Sequence, residues 1–216
     1  VSGVLIEPIQ GEGGVIPGDK LFFKELREIC NQNNSLLILD EVQSGVGRTG
    51  KMWGYENLEI EPDGFTLAKG LGGGHAIGAL LVKDKANIFS PGDHASTFGG
   101  NPFACRAALT VLEEIKRRKI LNNVFERGNQ LNEGFIKISA KFPNIINGIR
   151  GLGLIQGLVI NNAYTDAKTI TLKAFNKGLL IVPAGGNVVR FVPPLIISRN
   201  EINILLKKLD LIFEEL

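Results

Sequence analysis

Two polar residues stand at the ends of apolar runs, where their side chains could do chemistry together. Asp40 ends the run "LLILD", and Lys69 follows "GFTLA" at the start of a glycine-rich segment. A carboxylate at the end of a hydrophobic strand costs free energy unless a positive or hydrogen-bonding group meets it. A lysine amine can bond covalently to a carbonyl carbon, so the pair suits an aldehyde cofactor with a basic ring nitrogen.

Pyridoxal phosphate has both features that this pair could use. The lysine would bind its aldehyde, and the carboxylate would hold its ring nitrogen protonated, so that the ring withdraws electrons from the substrate. Simpler interpretations remain open, in which Lys69 is a surface lysine in a turn and Asp40 caps a turn or pairs with Arg48. We expect Glu41, the next residue, to serve the turn or a backbone donor.

The elements that must position these residues alternate between strands and helices in the first half of the chain. Apolar runs predict strands at residues 4–9, 36–40, 64–68 and 77–82, and Asp19 opens an amphipathic helix. This α/β pattern places ligands at the carboxyl ends of the strands, where Asp40 and Lys69 lie. Because the strands are apolar on both faces, we expect a sheet that is covered on both sides.

The pattern changes after Asn101. Long helices are predicted from Pro102 and from about Asn122, followed by short strands and a final amphipathic helix capped by Ser198 or Asn200. We interpret this half as a smaller α+β domain. The predicted domains are residues 1–117, with the linking helix, and residues 118–216.

Composition excludes several classes of protein. The 216 residues carry a net charge of +2 and show no basic stretch interleaved with aromatics, and "KRRK" at 116–119 is expected to be a solvated helix face, so we expect no nucleic-acid partner. No apolar run reaches the roughly 20 residues of a membrane helix, and no secretory signal opens the chain. Cys30 and Cys105 are expected to be reduced thiols of a cytoplasmic protein. Because "VSGVLIEPI" enters a strand at once, we expect that the chain was cut from a longer one.

Two further kinds of site are not expected. The glycine-rich segment after Lys69 precedes a strand, whereas a dinucleotide-binding loop opens a helix. His75 and His94 lie far apart without acidic companions at ligand spacing, so we predict no metal site.

Six longer motifs carry a resemblance that covers essentially the entire chain. In order, they are "EPIQGEGG", "LDEVQSGVGRTGK", "TLAKGLGGG", "STFGGNPFAC", "IRGLGLIQG" and "VVRFVPPLI". Together they resemble the class III aminotransferases, pyridoxal-phosphate-dependent transferases of fold type I (aspartate aminotransferase-like), and most nearly their acetylornithine and ornithine aminotransferase members. The resemblance implies part of the large α/β domain followed by the small C-terminal α+β domain. It also implies that about half of a family member, including its cofactor-phosphate loop, is absent here.

The resemblance implies roles for five cofactor-binding residues. Lys69 would bind the cofactor and move the substrate proton, and Asp40 would hold the ring nitrogen. Val42 would pack on one ring face, and Gln43 would bind the phenolic oxygen. Thr97 would reach the cofactor phosphate of the other subunit in a homodimer. Without the resemblance, Thr97 is more simply a cap of the helix that follows it.

Substrate-side roles fall to Glu7, Glu12, Ser96 and Arg190. Arg190 lies among Val, Phe and Pro residues, and its planar guanidinium could bind a substrate carboxylate through two parallel hydrogen bonds. We expect Glu12 to pair with Arg190 while an ω-amine is bound, and to be displaced by the carboxylate of the keto acid.

The function implied is transfer of an amino group from N-acetylornithine, or a similar ω-amine, to 2-oxoglutarate in arginine biosynthesis. Alternatives are an aminomutase acting on glutamate semialdehyde, a 4-aminobutyrate aminotransferase and a non-catalytic homologue. Gln43 and "GRTGK" favour transfer over the mutase, and "TFGGNP" favours acetylornithine or ornithine over 4-aminobutyrate. Retention of Lys69, Asp40, Gln43 and Arg190 argues against a non-catalytic protein. We expect the 216-residue chain alone to be inactive.

Overall fold

The computed structural model describes residues 1–216 and divides them into two compact units. The first unit consists of Val1–Pro8 and Gly18–Ile120. The second consists of Ile9–Pro17 and Leu121–Leu216. Because each unit has an apolar core, the two are described separately below.

The chain contains ten strands and five α-helices. The strands are β1 (Gly3–Ile6), β2 (Ile9–Gln10), β3 (Ile16–Pro17), β4 (Leu36–Asp40), β5 (Gly64–Leu67), β6 (Ala79–Val82), β7 (Ile146–Leu152), β8 (Ile155–Ile160), β9 (Val182–Ala184) and β10 (Val188–Phe191). The helices are α1 (Lys20–Gln32), α2 (Pro102–Arg117), α3 (Ile120–Lys141), α4 (Ala167–Asn176) and α5 (Arg199–Glu214).

A four-stranded sheet in the order β1-β4-β5-β6 organises the first unit. Strands β1, β4 and β5 are parallel, and β6 runs antiparallel to β5. In the register, Ile6 is opposite Leu39, and Asp40 is opposite Thr66. The chain therefore leaves β1, β4 and β5 at one edge of the sheet, as the α/β pattern predicted.

Helix α1 covers one face of this sheet. Asp19 caps the helix by accepting a hydrogen bond from the Phe22 backbone N–H at 2.9 Å. Phe23 on the helix and Leu37 and Leu39 on β4 are at most 1% exposed and belong to one apolar cluster.

The other face of the sheet remains open within this chain. Leu5 on β1 is 68% exposed and Leu80 on β6 is 50% exposed. The register places Leu5 opposite Ile38, and Leu80 opposite Thr66, away from the residues that pack on α1. The expectation of a sheet covered on both sides is therefore wrong for these residues, because α1 shields only the face of Leu37 and Leu39.

A buried aspartate that the sequence analysis did not single out fixes the start of β5. Asp63 is 2% exposed and binds Arg27 Nη1 at 2.8 Å, Lys85 Nζ at 2.5 Å and the Leu37 backbone N–H at 2.8 Å. Burial opposes ionisation, but these hydrogen bonds outweigh it and lower the pKa of Asp63 below its ordinary value of 3.8. Its contribution to stability is therefore complete above that pH and is lost as the pH falls through the lowered pKa.

The second unit is built on an antiparallel sheet in the order β7-β8-β10-β9. Phe135 of α3 and Phe191 of β10 are fully buried, and their ring centroids lie 4.7 Å apart. Helix α5 is capped by Ser198, whose hydroxyl accepts a hydrogen bond from the Glu201 backbone N–H while the Glu201 carboxylate accepts one from the Ser198 N–H. Ser198, one of the two residues predicted as the cap, is therefore the cap.

The segment Ile9–Pro17 belongs to the second unit, although the predicted boundary at residue 117 kept it in the first domain. Strands β2 and β3 form a short antiparallel hairpin in it. Val15 is fully buried and packs in one cluster with Ile155 and Val188. Burial of this apolar side chain, rather than position in the chain, decides where the segment belongs.

Both cysteines are free, with Cys30 buried and Cys105 exposed. None of the helices combines the length and the apolar character that spanning a membrane requires.

Candidate active site

Asp40 ends β4 and shares a sheet face with Thr66. Its Oδ1 accepts a hydrogen bond from the Val42 backbone N–H at 2.9 Å and one from the Thr66 hydroxyl at 3.2 Å. The contact to Val42 is the turn cap that the simpler interpretation predicted for Asp40. It involves one carboxylate oxygen and leaves Oδ2 available for another group.

Glu41, the second acid at the end of β4, binds donors from the loop that follows the strand. It is 1% exposed, and its carboxylate accepts hydrogen bonds from Ser44 Oγ at 2.6 Å, from the Gly54 N–H at 2.8 Å and from the Tyr55 N–H at 2.7 Å. Burial raises the pKa of Glu41, while these three bonds oppose the rise. The expected role in the turn is confirmed, because Glu41 ties the segment around residues 44–55 to the end of β4.

Lys69 begins a tight 3-10 turn, Lys69–Gly72, just after β5. Its backbone φ is +41°, in the left-handed region that residues with a Cβ rarely adopt. Such strain persists only when the surroundings impose it, and it concentrates at functional sites. The side chain of Lys69 is exposed.

The glycines after Lys69 allow this turn to pack closely on α2. Gly73 has a φ of +59°, and a Cβ built there would lie 2.8 Å from Val111 Cγ2 on α2. The next regular element is β6, a strand rather than a helix. The glycines therefore serve a compact turn, and the arrangement does not match a dinucleotide-binding loop.

The segment between β4 and β5 also contains Arg48 of the "GRTGK" motif. Burial lowers the pKa of Arg48 to about 10. Val46, two residues earlier, is buried with a φ of +53°. This loop is thus a packed structure with a constrained backbone.

Arg190 and Glu12 form an ion pair inside the second unit. Arg190 Nη1 lies 2.8 Å from Glu12 Oε1. The arginine side chain is 10% exposed, whereas that of Glu12 is 68% exposed. Arg190 thus lies on β10, the strand between β8 and β9, with its guanidinium nearly buried, while the Glu12 carboxylate that binds it is mostly exposed.

Hydrogen bonds to its backbone carbonyls hold the Glu12 loop on this sheet. The Gly185 N–H donates to the Glu12 carbonyl at 2.8 Å, and Arg150 Nη1 donates to the Gly14 carbonyl at 3.3 Å. The Glu12 backbone is thus anchored independently of its carboxylate. Arg150 lies in the "IRGLGLIQG" motif, but the sequence alone assigned it no role.

The remaining predicted residues lie in two environments. Glu7 directly follows β1, level with Asp40 on the neighbouring strand, and it is half-buried, as are Val42 and Gln43. Ser96 and Thr97 lie in an exposed stretch before α2.

Thr97 is not the cap of α2. That position is taken by Asn101, whose Oδ1 accepts a hydrogen bond from the Ala104 N–H at 2.9 Å. Ser96 Oγ instead accepts from the Gly99 N–H at 3.0 Å. The capping interpretation of Thr97 is therefore wrong, and its role toward a second subunit stays a prediction.

Comparison with known protein families shows which family the chain belongs to. The family model described as aminotransferase class-III matches residues 1–213. The chain belongs to the class-III aminotransferase family. The family and fold class predicted from the sequence are thereby confirmed.

Class-III relatives with curated names agree with one another. An acetylornithine aminotransferase of Prochlorococcus marinus subsp. pastoris is 91% identical over 215 residues, which are 100% of this chain and 52% of that protein. An acetylornithine aminotransferase of Parasynechococcus marenigrum is 59% identical over 217 residues, again 100% of this chain and 52% of that protein. The chain spans about half the length of the curated relatives that it matches.

Solved class-III structures have the same fold over nearly all of the chain. The N-acetylornithine aminotransferase of Stenotrophomonas maltophilia is 39% identical with a TM-score of 0.88, over 99% of this chain and 56% of that one. The ornithine aminotransferase of Toxoplasma gondii is 32% identical with a TM-score of 0.92, over 99% of this chain and 51% of that one.

Proposed function

We propose that this chain is part of a pyridoxal-phosphate-dependent aminotransferase that moves an amino group from N-acetylornithine to 2-oxoglutarate in arginine biosynthesis. The observation that carries the proposal is that Asp40 and Lys69 leave two neighbouring parallel strands at one sheet edge. The names of the cyanobacterial relatives support N-acetylornithine as the donor. We propose a homodimer in the cytoplasm as the working form.

The residues at this edge fit the proposed cofactor. Asp40 offers a carboxylate oxygen that its own turn does not use, and Lys69 offers an exposed amine. When bound, pyridoxal phosphate supplies the electron-withdrawing ring that stabilises charge on the substrate Cα. Asp40 would hold the proton on the ring nitrogen through its negative charge. Lys69 would hold the cofactor covalently, and its amine would take up the proton lost from the substrate Cα.

Other residues of the chain orient the cofactor and its substrates in this proposal. Val42 would exclude water from one ring face, and Gln43 would donate to the phenolic oxygen. Thr97 would bind the cofactor phosphate of the second subunit, so that both subunits would contribute to each site. Glu7 and Ser96 contact substrate beside these groups.

Glu12 and Arg190 adapt the site to two different substrates. An ω-amine presents no carboxylate near Arg190, so the ion pair with Glu12 neutralises the guanidinium during that half-reaction. The keto acid brings a carboxylate, which replaces Glu12 as the partner. One charged pair replaces another, so the buried guanidinium stays compensated throughout.

The alternative class of function is an intramolecular amino transfer by an aminomutase. The 4-aminobutyrate aminotransferases are a second alternative, within the same reaction type. The solved relatives named ornithine and N-acetylornithine aminotransferases favour the proposed reaction over both. A donor screen with the full-length enzyme separates the three: N-acetylornithine should be preferred over ornithine and 4-aminobutyrate, and glutamate semialdehyde should not isomerise.

Covalent labelling tests the central assignment. Borohydride reduction of the full-length holoenzyme should leave the cofactor on the peptide that contains Lys69, because that lysine follows β5 at the sheet edge. Peptide mapping by mass spectrometry locates the label. Lys69→Ala should abolish it, while Lys51→Ala, at an exposed lysine of the preceding loop, should keep it. A label on any other lysine contradicts the assignment.

The 216-residue chain by itself should have no aminotransferase activity. Its sheet ends at β1 and exposes Leu5 and Leu80, so an edge and an apolar face lack cover. Assays of the purified chain with N-acetylornithine, 2-oxoglutarate and added pyridoxal phosphate should stay at background, with the full-length enzyme as positive control. Turnover by the chain alone would mean that the rest of its relatives' length is dispensable.

A further inference from the structure

Thr66 connects the two strands that carry the candidate catalytic groups. It lies on β5 opposite Asp40 in the register, and its hydroxyl donates to Asp40 Oδ1 at 3.2 Å. Lys69 follows three residues later on the same stretch of chain. The same strand therefore leads to the lysine and touches the acid.

The two oxygens of the Asp40 carboxylate have different surroundings. Oδ1 accepts from both the Val42 N–H and the Thr66 hydroxyl. The chain donates its hydrogen bonds to Oδ1 and none to Oδ2. Rotation of a carboxylate about its last side-chain bond is otherwise soft, so two donors on one oxygen define which oxygen faces outward.

We propose that Thr66 is a positioning residue that fixes the rotation of the Asp40 carboxylate and thereby reserves Oδ2 for the protonated ring nitrogen of the cofactor. This inference rests on the proposed function. The Val42 N–H alone leaves the carboxylate free to swing about a single hydrogen bond. The Thr66 hydroxyl provides the second point that a defined plane requires.

Threonine suits this task at a strand position. Its branched Cβ restricts the first side-chain torsion, so the hydroxyl is presented in a narrow range of directions. The backbone carbonyl of Thr66 also accepts from the Glu41 N–H at 3.0 Å, which locks the strands at this level. The side chain is thus placed beside Asp40 by the register and by its own rotamer preference.

Substitutions in the full-length enzyme test the inference. Thr66→Val keeps the branched shape but removes the hydroxyl. We expect it to raise the dissociation constant of the apo-enzyme for pyridoxal phosphate by about 10-fold, and to slow loss of the substrate Cα proton by a similar factor. Thr66→Ser retains a donor and should stay within about 3-fold of the parent. Thr171→Val removes a hydroxyl that binds its own helix and should change neither quantity.

A double-mutant cycle separates positioning from a structural role. In an Asp40→Ala background, Thr66→Val should cause no further change in cofactor affinity, because the group that it positions is gone. A full additional loss in that background would overturn the inference and make Thr66 a packing residue. Thr66→Ala, with thermal unfolding of each apo-enzyme, repeats the comparison if the valine variant folds poorly.

The same cycle distinguishes failure of the inference from failure of the proposed function. Asp40→Ala alone should weaken cofactor binding and slow the half-reaction. If Asp40→Ala changes neither, the proposed role of Asp40 fails, and the positioning role of Thr66 fails with it. If Asp40→Ala has its expected effects and Thr66→Val has none, the proposed function stands and only the inference about Thr66 is overturned.

Discussion

Asp40→Asn is expected to leave pyridoxal phosphate bound to the full-length enzyme but to slow loss of the substrate Cα proton by about 10²- to 10³-fold. An amide carries no negative charge, so it cannot hold the cofactor ring nitrogen protonated. Asparagine can still accept from the Val42 N–H and the Thr66 hydroxyl, so the turn after β4 should survive. Single-turnover absorbance with N-acetylornithine measures the effect.

A matched control for this prediction is Asp63→Asn. Asp63 is another aspartate of the first unit, but it is buried and binds Arg27 and Lys85 before the start of β5. Its replacement should lower the thermal midpoint of the protein and leave the half-reaction rate of the folded enzyme unchanged. A normal rate for Asp40→Asn would refute the charge-based role of Asp40.

Arg190→Ala should damage one half-reaction far more than the other. The keto acid and glutamate need Arg190 for a carboxylate, whereas the ω-amine does not. Loss of one partner from a desolvated charged pair costs roughly 2–5 kcal/mol, which corresponds to about 30- to several-thousand-fold. We expect that loss with glutamate and 2-oxoglutarate, and a much smaller one with N-acetylornithine. Single-turnover kinetics of each half-reaction test it.

Two further variants provide comparisons for the Arg190→Ala prediction. Glu12→Ala releases Arg190 from its partner at 2.8 Å and should raise reactivity toward glutamate relative to the ω-amine. Arg150→Ala weakens the anchoring of the same loop through Gly14 without removing either charge. It should therefore affect both half-reactions equally. An equal loss in both for Arg190→Ala would reduce Arg190 to a structural residue.

Several elements could be predicted from sequence because local signals agreed. Strand β4 coincides with the apolar run at 36–40, since the run is short and ends in acids. Helix α5 follows its cap Ser198, where a capping box precedes an amphipathic repeat. In such places the local propensity and the burial favour the same structure.

Helix α4 was not predicted, and the apolar run "LLIV" at 179–182, which predicts a strand, overlaps β9 only at Val182. Helix α4 contains three β-branched residues among its ten, Thr169, Ile170 and Thr171, and this β-branched content masks the helical period. After it, Gly178 adopts a φ of +68° and the Leu179 N–H binds the Ala174 carbonyl. Residues 178–179 thus complete the helix end, and the strand begins only at Val182.

In the candidate site too, some residues could be predicted from the sequence and some contacts could not. Asp40 and Lys69 could be found because each follows an apolar run. The hydrogen bond from Thr66 to Asp40 could not, because it depends on the register of strands that lie 26 residues apart in sequence. Glu41 could be assigned to a turn, but its donors Gly54 and Tyr55 come from a loop whose path no local pattern specifies.

Because Ile9–Pro17 belongs to the second unit, it limits where two members of this family can be joined into a chimera. The chain passes between units after Pro8, after Pro17 and after Ile120. A chimera joined only at residue 120 would therefore pair the Val15 of one parent with the Ile155 and Val188 of another. It would also combine a foreign Glu12 with the resident Arg190. Exchange of small domains between homologues should succeed when residues 9–17 and residues 121–216 are both taken from the same parent.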